Sequence, residues 1–166
     1  MADLVLRLGG PAHGGSCVGR ADNRVVFCTH GLPGELVRAE LVAGGSGSRF
    51  WRAVATEVVS EPHPQRVPSP CAWSGPGLCG GCSWLHASPA EQIRLKEQVL
   101  AETLERIGGL TWPVTVRSLG AERGWRTRVT LHVDQQGRAG FHGARSHDLV
   151  PVADCLQADP RLGLPE

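Results

Sequence analysis

Apolar positions in the first sixty residues come in short runs broken by glycine. The runs fall at residues 4–8, at Val18, at 25–28, at 35–42 and at 50–59, and the pairs Gly9-Gly10, Gly14-Gly15 and Gly44-Gly45 separate them. Runs of this length with turn residues between them predict β-strands. Short, closely spaced strands must hide their edges, which favours closure into a small barrel over an open sandwich. Gly14, Gly15 and Gly19 are expected at turns or bulges, where a β-carbon would clash. Residues 60–70 then carry four prolines. Proline fixes φ and donates no backbone hydrogen bond, so this stretch can be neither a regular helix nor a central strand. It is expected to link two domains, residues 1–59 and 71–166.

One helix is legible. Ser88-Pro89-Ala90-Glu91 supplies an N-cap hydroxyl, a proline at the first helical position and a glutamate three residues after the cap. Gly108-Gly109 stops it, and Ile93, Leu100, Leu104 and Ile107 are read as its packing face. Residues 125–133 alternate as a strand does, with Arg126 and Arg128 on one face and Thr127 and Val129 on the other. Asp134-Gln135-Gln136-Gly137 reads as a turn and residues 138–142 as the returning strand, a hairpin with arginines on both arms. A last strand at 148–153 leads to Cys155.

With 166 residues, 41% of them hydrophobic and 20% charged, the chain fits one ordinary domain or two small ones. Twenty-two glycines and twelve prolines favour a β-rich α+β fold over a helix bundle. No apolar run is long enough to span a bilayer, and the N-terminus lacks the basic and apolar regions of a signal peptide. A cytoplasmic protein is expected, in which six cysteines do not form disulfides. The net charge is only +1, but residues 117–147 carry six arginines against Glu122 and Asp134. Such a strip can neutralise phosphates. A solvated strand face is the alternative of equal weight, because sixteen of the seventeen basic residues are arginine.

Cys71, Cys79 and Cys82 form C-x7-C-G-G-C, and Cys155 lies far downstream. Gly80 and Gly81 permit a tight turn that aims two sulfurs at one centre. Four thiolates suit tetrahedral zinc or a [4Fe–4S] cluster, and spacing does not separate the two. The four sulfurs are expected to converge and so to join distant parts of the chain. Cys17 and Cys28, isolated in strand patterns, read as core residues.

Several blocks together carry a family resemblance. Gly14-Gly15-Ser16-Cys17-Val18-Gly19-Arg20, Arg24-Val25-Val26-Phe27 and Leu32-Pro33-Gly34-Glu35 resemble the TRAM domain, a small OB-like RNA-binding barrel. Arg66-Val67-Pro68-Ser69-Pro70-Cys71 and Cys79-Gly80-Gly81-Cys82-Ser83-Trp84-Leu85-His86 resemble the cluster-binding segment of uracil-C5 RNA methyltransferases. Gln92, Lys96, Trp125-Arg126-Thr127-Arg128, Gly140-Phe141 and Ser146-His147 fit the same family, in the same order along nearly the whole chain. The resemblance implies an N-terminal OB-like TRAM barrel followed by a small α+β domain. It also implies that Cys71, Cys79, Cys82 and Cys155 hold a [4Fe–4S] cluster. The Cys71–Cys79 gap is about two residues longer than the family pattern, an excess that Ser74-Gly75-Pro76-Gly77 can loop out.

The family's third part, a Rossmann-like methyltransferase domain using S-adenosylmethionine, finds no match. The best donor-site candidate, Gly44-Gly45-Ser46-Gly47, leads into a strand pattern rather than a helix. No catalytic residue is assigned, and the chain alone is expected to methylate nothing. S-adenosylmethionine would enter only with a separate or missing C-terminal domain. The expected partner is RNA, ribosomal ahead of transfer RNA, with neither DNA nor membrane. Arg126, Arg128, Arg138 and Arg145 on the hairpin are the leading RNA contacts, with Phe141 and His142 as stacking surfaces and Arg20 and Arg24 on the barrel as a second surface. A free-standing RNA-binding module and a zinc-ribbon interaction protein are the competing readings.

Overall fold

A computed structural model describes residues 3–45, 47–120 and 122–164. Six strands occupy its first third: β1 (Asp3–Arg7), β2 (Pro11–Ala12), β3 (Ser16–Ala21), β4 (Arg24–Thr29), β5 (Leu36–Ala43) and β6 (Phe50–Ser60). They form one sheet in the order β1-β5-β6-β4-β3-β2, antiparallel except between β4 and β6. The two end strands are consecutive in the chain. Between them, Gly9 N–H donates to Val18 O at 2.7 Å and Val18 N–H donates to Gly10 O at 3.0 Å. One bent segment therefore pairs with β5 at its start and β3 at its end, and the sheet curls back on itself. This covers edges that a short sheet would otherwise expose.

Alternate strand residues fill the interior: Leu6, Leu8, Cys17, Val26, Cys28, Val37, Ala39, Ala53 and Ala55. Cys17 and Cys28 face each other across β3 and β4. Burial pushes both thiols up to about 12, so they stay neutral, as core residues do. Gly14 and Gly15 occupy the turn before β3 at φ +83° and +76°. Gly19 does not: it is buried inside β3, where a β-carbon would meet Leu6 Cβ at an ordinary 3.5 Å.

A β-carbon on Gly15 would fall 2.1 Å from Ser83 Cβ. Gly15→Ala should combine backbone strain of about 1–3 kcal/mol with that clash. Gly34→Ala, at φ +87° with nothing within 4 Å, carries the strain alone. Urea denaturation is expected to show the larger fall in midpoint for Gly15→Ala, and equal falls would contradict the close approach.

The rest of the chain holds α1 (Pro89–Gly108), then β7 (His132–Val133), β8 (Ala139–His142) and β9 (Leu149–Pro151) in one antiparallel sheet, and a 3-10 turn at Pro160–Leu162. Ser88 caps the helix by accepting from Glu91 N–H, and Gly109 ends it at φ +63°. Glu91 does not return the cap, because Ser88 N–H donates to Gln65 O at 2.9 Å. Instead Glu91 is buried and accepts two hydrogen bonds from Arg94. The packing face also differs from the expected one. Leu95 is fully buried and, with Val99, packs on Leu32, Trp84 and Ala87, whereas Leu100 and Ile107 are 45% and 77% exposed. Periodicity offers two neighbouring stripes, and the β4–β5 loop carrying Leu32 selects the Leu95 stripe.

The strand expected over 125–133 shrinks to His132–Val133. Arg126 is drawn elsewhere: its N–H donates to Gln157 O at 2.8 Å and its carbonyl accepts from Asp159 N–H at 2.9 Å. Local alternation shows that a segment is extended but not which segment it pairs with. The turn at 134–137 forms, with Gly137 N–H donating to Asp134 O at 3.0 Å.

Residues 63–67 are tied to both sides. Glu35, fully buried, accepts from Leu32 N–H at 2.8 Å, His63 N–H at 3.0 Å, and Arg66 Nε and Nη2 at 2.6 Å each. Arg66 also donates to His30 O, and Val67 N–H donates to His86 O, both at 3.0 Å. Among the described residues no helix is long and apolar enough to cross a membrane.

A candidate thiol-lined centre and its arginine-bearing surround

Cys71, Cys79, Cys82 and Cys155 line a single cavity of about 260 Å³. Local hydrogen bonds bring them there. Cys71 N–H donates to the Ser69 hydroxyl at 3.3 Å, and Cys79 N–H donates to Trp73 O at 3.0 Å, which closes the intervening loop. In the C-G-G-C turn, Gly81 N–H points at Cys79 Sγ at 3.4 Å. Gly80 N–H donates to His142 O, and a β-carbon on Gly80 would stand 2.7 Å from Ala144 Cα, so only glycine fits there. Trp73 Nε1–H donates to Asp154 Oδ1 at 3.0 Å, drawing the first cysteine loop against the segment that carries Cys155.

Burial pushes the Cys79 and Cys82 thiols up, their neighbouring cysteines push the same way, and the Arg126 guanidinium opposes both. The thiols are therefore protonated at neutral pH until a cation displaces the protons. Sharing a cavity falls short of ligation: among the described residues, no three Cys, His, Asp or Glu side chains are arranged to hold a single metal ion.

The expected four-arginine face divides. Arg126 is half-buried, lines the thiol cavity, and has its Cζ 5.2 Å from the Trp125 ring centre. Arg145, exposed at φ +56°, lines the same cavity. Arg128 is exposed on the segment between Arg126 and β7. Arg138 lies across the hairpin turn from Asp134 and pairs with it at 2.7 Å. On the six-stranded sheet, Arg20 is exposed, while Arg24 donates to Ser48 O at 2.6 Å and lies 5.4 Å from the Trp51 ring centre, bracing the β5–β6 connection. Phe141 is half-buried on the cavity wall.

Two features escaped the sequence reading. His142 stacks on His132 at 3.7 Å and meets His147 at 5.5 Å, a trio assembled by the β7–β8 register. A cleft of about 550 Å³ also opens between the Gly14-Gly15 turn, α1 and Trp125, with Gln92 and Lys96 on its wall. The sequence placed Gly14-Gly15, the helix and Trp125 in three separate elements, and the tertiary fold brings them around one cleft.

No protein-family model matches the chain. Among individual proteins, it is 43% identical to one from Streptomyces coelicolor named an uncharacterized RNA methyltransferase, over 92% of this chain and 36% of that protein. A protein of the same name from Streptomyces avermitilis is 41% identical over 97% of this chain and 41% of its own length. A 23S rRNA (uracil(1939)-C(5))-methyltransferase from Acinetobacter baylyi is 37% identical over 85% of this chain and 31% of its own length. The chain thus spans well under half the length of these relatives and matches their N-terminal part.

Proposed function

We propose, from its homology to the N-terminal part of proteins named RNA methyltransferases, that this chain is the RNA-recognition part of an S-adenosylmethionine-dependent uracil-C5 RNA methyltransferase, acting on ribosomal RNA ahead of transfer RNA. In this reading the curled six-stranded sheet is an OB-like TRAM barrel, and Cys71, Cys79, Cys82 and Cys155 hold a [4Fe–4S] cluster. The donor site and the catalytic nucleophile lie in the further length of the relatives, so no residue of this chain takes a catalytic role.

One observation carries the reading: thiols from both ends of residues 71–155 share a cavity whose wall also bears Arg126 and Arg145. Four thiols lining one cavity are a donor set that suits a [4Fe–4S] cluster, with tetrahedral zinc as the alternative. The cluster would serve as a structural tie, placing the arginines beside it.

Arg128 tests RNA recognition cleanly, because it is exposed whereas Arg126 helps to line the cavity. Arg128→Ala should weaken binding of single-stranded RNA and lower the log–log salt slope by about 0.7 unit per lost phosphate contact, with melting unchanged. Unchanged affinity and slope would remove this segment from the RNA site and leave the barrel surface.

A further inference from the structure

A second cleft, of about 340 Å³, lies between the barrel and the 143–150 segment. Arg52 enters it from β6, and Arg145 enters it from the opposite side. Neither guanidinium has a carboxylate partner among the described residues. Arg52 Cζ instead lies 5.0 Å from the Phe50 ring centre, and Phe50 in turn meets Phe27 edge-on at 5.5 Å. The one carboxylate on the wall, Asp148, is engaged by the Ser146 hydroxyl at 2.6 Å. Phe27, Val42 and Val54 make the remainder of the wall largely apolar. Two like charges facing one cleft repel each other, and an anion held between them turns that cost into charge-assisted hydrogen bonds.

We propose that this cleft takes one nucleotide of single-stranded RNA, with its phosphate bridged by Arg52 and Arg145 and its base against the apolar wall. The proposal rests on the RNA-recognition reading and adds to it a path for the strand, across the junction between barrel and second unit. Neither residue alone marks the site: Arg52 sits in an ordinary strand pattern, and Arg145 was assigned to the hairpin. The cleft volume lies within the range of small-ligand sites. Aromatic rings beside a guanidinium are a common platform for unpaired bases.

The test is fluorescence anisotropy of a labelled uridine-rich RNA oligonucleotide with the full chain, comparing Arg52→Gln, Arg145→Gln and the double variant. Each single variant should bind roughly tenfold more weakly, and the double variant should lose about 0.7 unit of salt slope, the share of the one phosphate that both side chains hold. The double variant should lose less than the product of the single losses, because both side chains hold the same phosphate. Arg52→Lys should keep the slope while weakening binding, since it retains the charge but not the forked donor. Melting curves establish that the variants are folded, and if Arg52→Gln is not, the exposed Arg145→Gln and the Arg52→Lys variants carry the test. Single variants that bind as well as the unaltered chain, or losses that multiply in the double variant, would overturn the shared phosphate site. If the unaltered chain itself binds no RNA, it is the underlying RNA-recognition reading that falls.

Discussion

Cys155→Ala is expected to strip bound iron and sulfide from protein prepared without oxygen, and to lower the melting temperature by roughly ten degrees or more. Under the proposed cluster the effect is large, because the substitution would open a loop as well as remove a ligand. Cys155 follows β9, whereas Cys71, Cys79 and Cys82 lie ahead of α1, and the cavity is where these segments meet. A centre held across such a gap contributes its binding energy to folding, on the order of several kcal/mol. At this chain length each kcal/mol moves the melting point by about 2–4 °C. Cys17→Ala is the matching control: it removes a sulfur from the core of the six-stranded sheet, so it should lower stability yet leave any iron content unchanged. Because burial keeps Cys79 and Cys82 protonated in the absence of a cation, loading should release protons and tighten as pH rises. Colourless protein holding zinc would replace the cluster with the zinc alternative. Full iron content in Cys155→Ala would remove that residue from the site.

Glu35→Ala should cost about 3–5 kcal/mol, because it leaves the Arg66 guanidinium partly buried with no counter-charge. Arg66→Ala should cost a comparable amount, and the double variant should cost less than the sum, which a double-mutant cycle measures directly. Additive losses would contradict a coupled pair. The same junction makes the protein acid-labile. Burial would push the Glu35 carboxyl up, but the Arg66 guanidinium and the N–H groups of His63 and Leu32 hold it below the ordinary range. Its stabilisation is present above the unfolded carboxylate pKa and is lost as pH falls through the folded one.

His86 acts in the same direction. Burial, and then the Arg66 charge, push it down to about 4, so the unfolded chain takes up a proton that the folded chain refuses. That difference removes on the order of 3 kcal/mol as pH falls from about 6.5 to about 4. Thermal melts should therefore show stability declining below neutrality as His86 is charged, and falling further in the acid range as Glu35 is protonated; a flat profile from pH 7 to 4 would contradict the His86 assignment.

The strands of the six-stranded sheet, the caps of α1 and the turn at 134–137 were legible because each rests on local chemistry: apolar runs, a hydroxyl before a proline, glycines at positive φ. What the sequence hid depends on partners distant in the chain. Arg66 reads as one charge in a proline-rich link, and nothing local ties it to Glu35, thirty-one residues earlier in the chain. Leu95 and Leu100 are equally apolar, and only the arrival of Leu32 buries the first and leaves the second exposed. Arg126 and Arg128 alternate as on a strand, yet Arg126 pairs with residues 157–159 and faces the thiols. The four cysteines stand out as a set by their spacing and the family resemblance, and they line one cavity, without forming a metal-holding group among the described residues. The histidine trio and the Arg52–Arg145 cleft were not legible, because each is assembled by strand pairing or by contact between units.

The salt dependence of RNA binding by the unaltered chain tests the central claim most directly. The account predicts saturable binding of single-stranded RNA at low salt that weakens as salt rises. With Arg52 and Arg145 sharing one phosphate and Arg128 contacting another, the log–log slope would be about −1.4, at about −0.7 per neutralised phosphate of a single strand. Absence of saturable binding at about 50 mM salt, or binding that salt does not weaken, would contradict it.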